Sequence, residues 1–554
     1  MINMNDKLKL FYLPHFFPRN ITDIKYFIPL AANVIAEYLQ NKGYNVELND
    51  INNWYWKEAD SCRLKSLQER FKFEKMIFML KDYFSLVHDE KIILLAKDFF
   101  EMDLSHPDLV FLNLFSKYLR KQNPNTVIII GGSHSKKPFI LKLMNKFHDI
   151  DFAFYSESWS KPNYNDIKNL VKYLLTNDMQ KTIKGDFYYR KNESLIDAND
   201  KEMSIYHGKK VHRFPSYCNV NGDYSFSLNE ICNPKYISNR KDILNIRIPG
   251  ICYVKFSSGC PNKCPYCIYS QIEPQIEPMD KVIQHINNIE KRLGYRHFFF
   301  LNRQMNISSR WASEFCKRLI ELDINARWSC SLNINNISYR DIDLMVESGC
   351  VQVSVGLETA SKKIGRIIGR HMDTDEMEEK LAYMNKKGLW VIGNFMVGLP
   401  FEEKSDVEKT RSFILKNYNY IQHINLSIYK MLPKSMFADY PEKYNLKILN
   451  KDLSIQSDDL HPGLLAYNWK EINGRNWDEI VKHGKWAFEY IMNEKDEIEN
   501  KLTGYIPLIF ALYEELDSLP RAYEFILDYS DYVKSKQGKD FIFKVPFFNA
   551  SQIF

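Results

Sequence analysis

The chain has 554 residues, room for two to four domains with substantial cores, and its 75 basic and 69 acidic residues leave a net charge of only +6. That balance gives no reason to expect a nucleic-acid partner or an anionic membrane surface, and no apolar run approaches the ~18 residues a membrane span needs. Ten cysteines in a chain this long do not make a disulfide framework, and the start Met1-Ile2-Asn3-Met4-Asn5-Asp6-Lys7 has no secretory-signal pattern, so a cytoplasmic protein with reduced thiols is expected.

In chain order, residues 8–16 read as a buried strand, 28–42 as a helix stopped by Gly43, and 46–50 as a second strand. A polar, aromatic stretch intervenes before a third strand at 91–96. Ser105 N-caps a helix over 109–120, and Thr126-Val127-Ile128-Ile129-Ile130 and residues 152–157 give two more strands. This succession predicts a doubly wound, Rossmann-like sheet over residues 1–165. Gly131-Gly132-Ser133-His134 follows the fourth strand, where open α/β sheets take their ligands. Residues 166–245 read as a connecting region containing one helix and a short hairpin at 185–195.

From 246 to 445 strand and helix signals alternate again. Strands are expected at 251–256, 296–301, 326–332, 351–357, 390–397 and 423–429, separated by helices, which predicts a full or partial βα barrel. Residues 446–554, with Trp469, Trp477 and Trp486, read as a helical C-terminal domain.

Between the first barrel strand and its helix lies Ser257-Ser258-Gly259-Cys260-Pro261-Asn262-Lys263-Cys264-Pro265-Tyr266-Cys267. Three thiolates on one tight loop can hold a soft metal or an iron–sulfur cluster. A closed structural site uses four protein ligands, so three leave one position open for a reacting group. The competing arrangement is a structural zinc site completed by a histidine such as His285. Cys330, on a barrel strand, is a candidate hydrogen-atom donor, against the commoner outcome of an inert buried thiol.

The Cys260-x3-Cys264-x2-Cys267 spacing with Tyr266 before the third cysteine resembles the radical S-adenosylmethionine (SAM) superfamily. Gly356-Leu357-Glu358-Thr359, the basic Gly369-Arg370 and the turn Gly398-Leu399-Pro400-Phe401-Glu402-Glu403 resemble later segments of the same family, and the resemblance covers roughly residues 250–440. The N-terminal half is similar to the cobalamin-binding domain of one branch. The resemblance implies a [4Fe–4S] cluster on Cys260, Cys264 and Cys267. It also implies SAM contacts from Tyr266, Asn302, Asn333, Glu358 and Arg370, and a cobalamin-type pocket at Gly131, Gly132 and Ser133. The strand end Leu301-Asn302-Arg303-Gln304 departs from the family by lacking its G-G-E run, and Asn333 stands where relatives often carry arginine. No D-x-H-x-x-G run is present, so no histidine ligand to cobalt is implied. The expected function is SAM cleavage to a 5′-deoxyadenosyl radical, with methyl transfer to a carbon of a peptide or other small-molecule substrate, or alternatively an epimerisation, cyclisation or rearrangement without methyl transfer. A flavodoxin or ferredoxin is the implied reductant. Cys62, Cys218 and Cys232 do not offer the second cluster of a methylthiotransferase.

Overall fold

The structure, a computed structural model, describes residues 7–13, 30–51, 91–96, 107–132, 137–155, 164–176, 185–191, 194–198, 226–227, 247–248, 250–449, 466–492, 516 and 524–525. The chain divides into two compact units, Met1–Tyr224 and Ser225–Phe554.

The first unit is a seven-stranded sheet. Its strands are β1 (Lys7–Tyr12), β2 (Asn45–Asp50), β3 (Ile92–Ala96), β4 (Val127–Gly131), β5 (Phe152–Phe154), β6 (Phe187–Lys191) and β7 (Ser194–Asp197), in the order 2-1-3-4-5-6-7. The first five strands pair in parallel and the last two antiparallel. Every residue of β3 is buried, because helices cover both faces of a parallel sheet. Helix α1 (Leu30–Gln40) and helix α4 (Tyr164–Thr176) share one apolar core with the sheet, through Ala32, Ala36 and Leu39 and through Leu170 and Val171. Helices α2 (Pro107–Gln122) and α3 (Lys137–Lys146) share the other, through Phe115, Leu119, Leu143 and Met144.

Two expectations change here. The fifth strand stops at Phe154 rather than 157. The segment read as a connection from residue 166 instead supplies most of α4 and the β6–β7 hairpin, which extends the first sheet. Phe152 stacks on Tyr189 at 6.0 Å and the Tyr155 hydroxyl donates to Asp197 at 2.7 Å. These contacts fix the hairpin against β5.

The second unit holds six parallel strands in chain order: β8 (Ile251–Val254), β9 (His297–Phe300), β10 (Arg327–Leu332), β11 (Cys350–Glu358), β12 (Trp390–Val397) and β13 (His423–Ile428). Helices α5 (Met279–Leu293), α6 (Ser309–Glu321), α7 (Tyr339–Glu347), α8 (Lys362–Ile367), α9 (Thr374–Lys386) and α10 (Lys404–Lys416) connect them. This is the expected partial barrel. Helix starts are written locally: Ser308 accepts from Trp311 N, and Ser338 with Asp341 and Glu403 with Asp406 form capping boxes.

Alternation sorts the strand residues into two faces. Trp328 of β10 packs on Phe315 of α6, and Phe395 of β12 on Phe413 of α10, so these positions face the helices. Ser331, Ser354, Asn394, Asn425 and Ser427 occupy the opposite, inner face and are half-buried. Among the described residues beyond 445, β14 (Leu446–Ile448) pairs antiparallel with β15 (Trp469–Glu471), followed by α12 (Trp477–Met492); α11 (Met436–Asp439) precedes them. Leu446, Trp469 and Ile480 share one core with Leu399 and Tyr429. These described residues pack on the barrel unit; the rest of the region read as a helical C-terminal domain lies, apart from 516 and 524–525, outside the described residues.

Candidate active site at the cysteine loop

The loop from β8 to α5 is closed by a two-residue ribbon in which Ser257–Ser258 pairs with Gln275–Ile276. Inside it, Cys260 N–H donates to Ile272 O at 3.2 Å and Cys267 N–H to Cys264 O at 3.0 Å. The Ser270 hydroxyl donates to Cys267 O at 2.7 Å. Gly259 has φ +74°, and a Cβ there would lie 2.5 Å from Glu273 O and 2.6 Å from Ile272 O. Only glycine combines that backbone with that approach.

The three thiols are unbonded, Cys264 buried and Cys260 and Cys267 half-buried. Burial raises the Cys264 thiol pKa, opposed by the charge of Arg370. Burial also pushes Cys267 up to about 11 against a hydrogen bond from the Tyr269 backbone, and the Cys264 and Cys260 thiolates add to the rise. All three sulfurs thus lie within one another's field. Among the described residues no three His, Cys, Asp or Glu side chains converge on a single ion-sized point. A cubane binds each thiolate to a different iron and does not require that convergence. His285, the proposed fourth zinc ligand, is buried on α5 with Val282, Ile283 and Ile286, and burial lowers its pKa to about 4.

Tyr266, Glu358 and Arg370 come together beside these thiols. The Tyr266 side chain lies close enough to Glu358 to affect its titration, and Arg370 interacts with both Glu358 and Cys264. Burial raises the Glu358 pKa, partly offset by Arg370 and Tyr266. Burial likewise raises Tyr266 well above the ordinary tyrosine range, with the Glu358 charge adding to it. Glu358 has φ +61° at a break in the β11–β12 register, which turns its side chain at the strand end.

Two glycines make this contact possible. A Cβ on Gly356 would meet Glu358 Oε1 at 2.7 Å, and one on Gly369, which has φ +66°, would lie 3.2 Å from Pro265 Cδ. Arg370 also donates to Gly356 O, while its buried Nε has no partner.

Asn302 sits at the base of the cysteine loop. Its Oδ1 accepts from Phe256 N and Ser257 N, both at 3.1 Å, clamping the start of the cysteine loop to the end of β9. Its Nδ2 is buried without a partner, as is the nearby Ser257 hydroxyl. Asn333 commits its Oδ1 to Asn335 N at 3.1 Å, capping a short turn, and its backbone N–H to Asn306. Arg303, in place of the missing acidic residues, stacks on Tyr269 at 3.6 Å.

Cys330 does not reach the inner face. It is 2 % exposed, shares the helix-facing side of β10 with Trp328, and lies near Cys350 of β11 and Cys316 of α6. A hydrogen-atom donor must face the substrate, so that role is withdrawn. The Gly398–Glu402 turn is structural: Gly398 N donates to Glu402 at 2.6 Å, and the Glu402 carboxylate also meets His483 of α12. Phe401 N donates to Glu471, which Arg475 grips.

A groove of about 610 Å3 lies at the starts of α6 and α7, lined by Asn306, Ser309, Ser338 and Lys380 among others. Asp341 bonds both serines and Lys380 bonds Ile334 O, so its polar groups are internally satisfied. In the first unit, the order 2-1-3-4-5 puts its topological switch point between β1 and β3. A Cβ on Gly131 would make its nearest contact with Phe154 at 3.4 Å, so packing does not demand glycine there. Gly132 is described; Ser133, His134 and His106 lie outside the described residues.

Residues 254–414 match the family model described as the radical SAM superfamily. An uncharacterized methyltransferase of Pyrococcus horikoshii is 26% identical over 166 residues, 29% of this chain and 36% of that protein. The anaerobic magnesium-protoporphyrin IX monomethyl ester cyclase of Cereibacter sphaeroides is 23% identical over 159 residues, 27% and 26% of the two chains. The matched region thus spans well under half the length of these curated relatives. Among solved structures, the radical SAM methyltransferase TsrM from Kitasatospora setae, with cobalamin and a [4Fe–4S] cluster bound, superposes with TM-score 0.56 at 12% identity, covering 96% of this chain and 100% of that one. The cobalamin-dependent radical enzyme OxsB gives 0.52 at 11% identity, covering 96% and 81%. At such identity these are likenesses of fold, and they extend over both units.

Proposed function

We propose that this chain, a member of the radical SAM superfamily, is a cobalamin-dependent radical SAM methyltransferase acting on a carbon of a small-molecule or peptide substrate. The observation that carries this reading is the convergence of Tyr266, Glu358 and Arg370 on Cys264 of the three-cysteine loop, at the C-terminal end of the barrel strands. Barrel chemistry belongs to that face. The donor set fits a [4Fe–4S] cluster: Cys260, Cys264 and Cys267 would hold it, with no fourth thiol on the loop. The first unit's sheet order suits a nucleotide-like cofactor at its switch point, which supports cobalamin there.

When bound, the cluster supplies the electron that cleaves the SAM sulfonium, and cobalamin supplies a methyl carrier. The chain's own part is positional. Gly259 and the Asn302 clamp fix the backbone of the loop that carries the three thiols. Arg370 offsets negative charge at both Cys264 and Glu358. Glu358, an acceptor at the rim, is suited to hydroxyl or ammonium groups of SAM, and the unpartnered Asn302 Nδ2 offers a donor close by. A low-potential flavodoxin or ferredoxin is the reductant this chemistry requires, and a reducing, cytoplasmic setting suits it. No helix among the described residues is long and apolar enough to cross a membrane.

Anaerobic reconstitution followed by reduction tests the reading. Iron and sulfide in the ratio of a cubane, cobalt in the purified protein, 5′-deoxyadenosine from SAM and a product heavier by one methylene are expected. A colourless protein binding zinc would overturn it. A substrate product of unchanged mass would replace methyl transfer by epimerisation, cyclisation or rearrangement; the Cereibacter relative is named a cyclase.

A further inference from the structure

The inner face of the barrel carries a directional ladder of neutral groups. Asn394 Nδ2 donates to Ser354 Oγ at 2.8 Å and to Val355 O at 3.2 Å. A backbone carbonyl only accepts, so the atom facing Val355 must be the amide nitrogen, and Asn394 Oδ1 therefore points the other way. There it accepts from Asn425 Nδ2 at 3.0 Å. Both amides are thus oriented by one carbonyl. Two groups remain over: the Ser354 hydroxyl proton and the Asn425 Oδ1 acceptor, neither with a partner among the described residues.

The surroundings are as specific as the ladder. Ser354, Asn394 and Asn425 are half-buried and face inward, and Ser331 lies beside Ser354 in register. Between Ser329 and the rim residue Glu358, the inner-facing positions of β10 to β13 carry no ionisable side chain apart from His423. The nearest cation, Arg370 on Gly356 O, is already set against Glu358 and Cys264, so an anionic substrate placed here would lose water without gaining a free cation. A purely aliphatic one would leave Ser354 and Asn425 unsatisfied. Ser354 and Asn425 stand on strands two spacings apart, ~10 Å, about the length of three extended residues.

We propose that Ser354 and Asn425 form a recognition site for a neutral chain of amides, taking a substrate carbonyl at the Ser354 hydroxyl and a substrate N–H at Asn425 Oδ1. The substrate class is thereby an uncharged peptide-like backbone, whether of a peptide or of an amide-rich small molecule. This rests on the reading of the barrel lumen as the substrate site.

The test uses saturation-transfer NMR on the anaerobically reconstituted full chain, with N-acetyl-glycylglycine N-methylamide as probe. The analogue with one amide replaced by an ester removes one N–H without touching the protein. Wild type is expected to give saturable transfer with the amide and about fivefold weaker binding of the ester, the effect of one neutral hydrogen bond. Asn425→Leu and Ser354→Ala are expected to weaken the amide by a similar factor. Longer capped peptides that bind more tightly than cyclic diketopiperazines would mark a peptide source, and the reverse a small molecule. Absence of transfer in the wild type, equal binding of ester and amide, or displacement of the probe by acetate or phosphate at equal concentration would overturn the proposal. Formation of 5′-deoxyadenosine by the wild type is measured in parallel. Its absence refutes the radical SAM reading, whereas its presence with a negative amide result refutes only this site.

Discussion

Replacing Gly259 by alanine adds one methyl group beside Cys260, at a position with no freedom to accept it. The residue sits at φ +74°, and the new Cβ would lie 2.5 Å from Glu273 O, 2.8 Å from Glu273 C and 2.6 Å from Ile272 O. The left-handed conformation alone costs a non-glycine residue ~1–2 kcal/mol. Relieving the contacts moves backbone rather than a side chain, adding ~1–3 kcal/mol. The obstructing Ile272 carbonyl is the one that accepts from Cys260 N–H at 3.2 Å, so relief of the clash breaks that bond. The total, ~2–5 kcal/mol, falls on a loop outside the six-stranded sheet. Cluster retention should therefore fall by at least tenfold while the barrel stays folded. Iron and sulfide analysis after reconstitution, with the cluster's absorption shoulder, reads the first quantity, and thermal unfolding by circular dichroism the second. A Gly259→Ala protein that retains a full complement of iron would refute the reasoning. So would one that loses the barrel together with the cluster.

Four further outcomes are expected. Glu358→Gln, which keeps the size and an acceptor but removes the charge, should raise the SAM dissociation constant about tenfold by equilibrium dialysis; an unchanged constant would remove Glu358 from the SAM site. Asn302→Ala should lose ~1–3 kcal/mol of stability and reduce iron content, because two buried N–H groups lose their acceptor, whereas Asn302→Asp keeps it and should retain more iron. Equal iron in the two variants would contradict the clamp. Cys330→Ala should keep product turnover and cost only ~1–2 kcal/mol of stability, since the thiol faces the helix layer; loss of turnover with the cluster intact would restore its role as a hydrogen donor. For pH, burial alone would raise the pKa of Asp341 and Asp406. Hydrogen bonds from Ser313 and Ser338 to the first, and from Ser361 and the Glu403 N–H to the second, outweigh it and hold both below the ordinary aspartate value. Their stabilisation is then present above that value and disappears as pH falls through the lowered native pKa. Urea unfolding of wild type and Asp406→Asn should differ most at neutral pH and converge in acid; a difference that persists at pH ~2 would contradict the assignment.

The strands and helices that position the site were readable because their signals are local. The all-apolar β3 and β4, the serine caps of α6 and α7 and the alternation in β10 and β13 each lie within one short stretch of chain. The β6–β7 hairpin was recognised as a hairpin but not as part of the first sheet. Its partner β5 is only three residues long, and the pairing depends on aromatic contacts across Phe152, Phe187 and Tyr189. For residues 446–554, read as a helical C-terminal domain, nothing local announces that Trp469 and Ile480 join Leu399 in one core.

The amino-acid sequence by itself determined the three-thiol loop, since ligand type and spacing are properties of adjacent residues. It also determined the succession of βα units that places this loop after the first barrel strand. The motifs already pointed to Glu358 and Arg370, but tertiary structure decided how they meet the loop. Tyr266, Glu358 and Arg370 meet because a register break turns Glu358 and because Gly356 and Gly369 permit close approach. The same level of structure turned Cys330 outward, made Asn302 a backbone clamp and aligned Ser354, Asn394 and Asn425 across three strands. Facing and register depend on how strands separated by whole helices pair, and no single stretch of sequence contains that information.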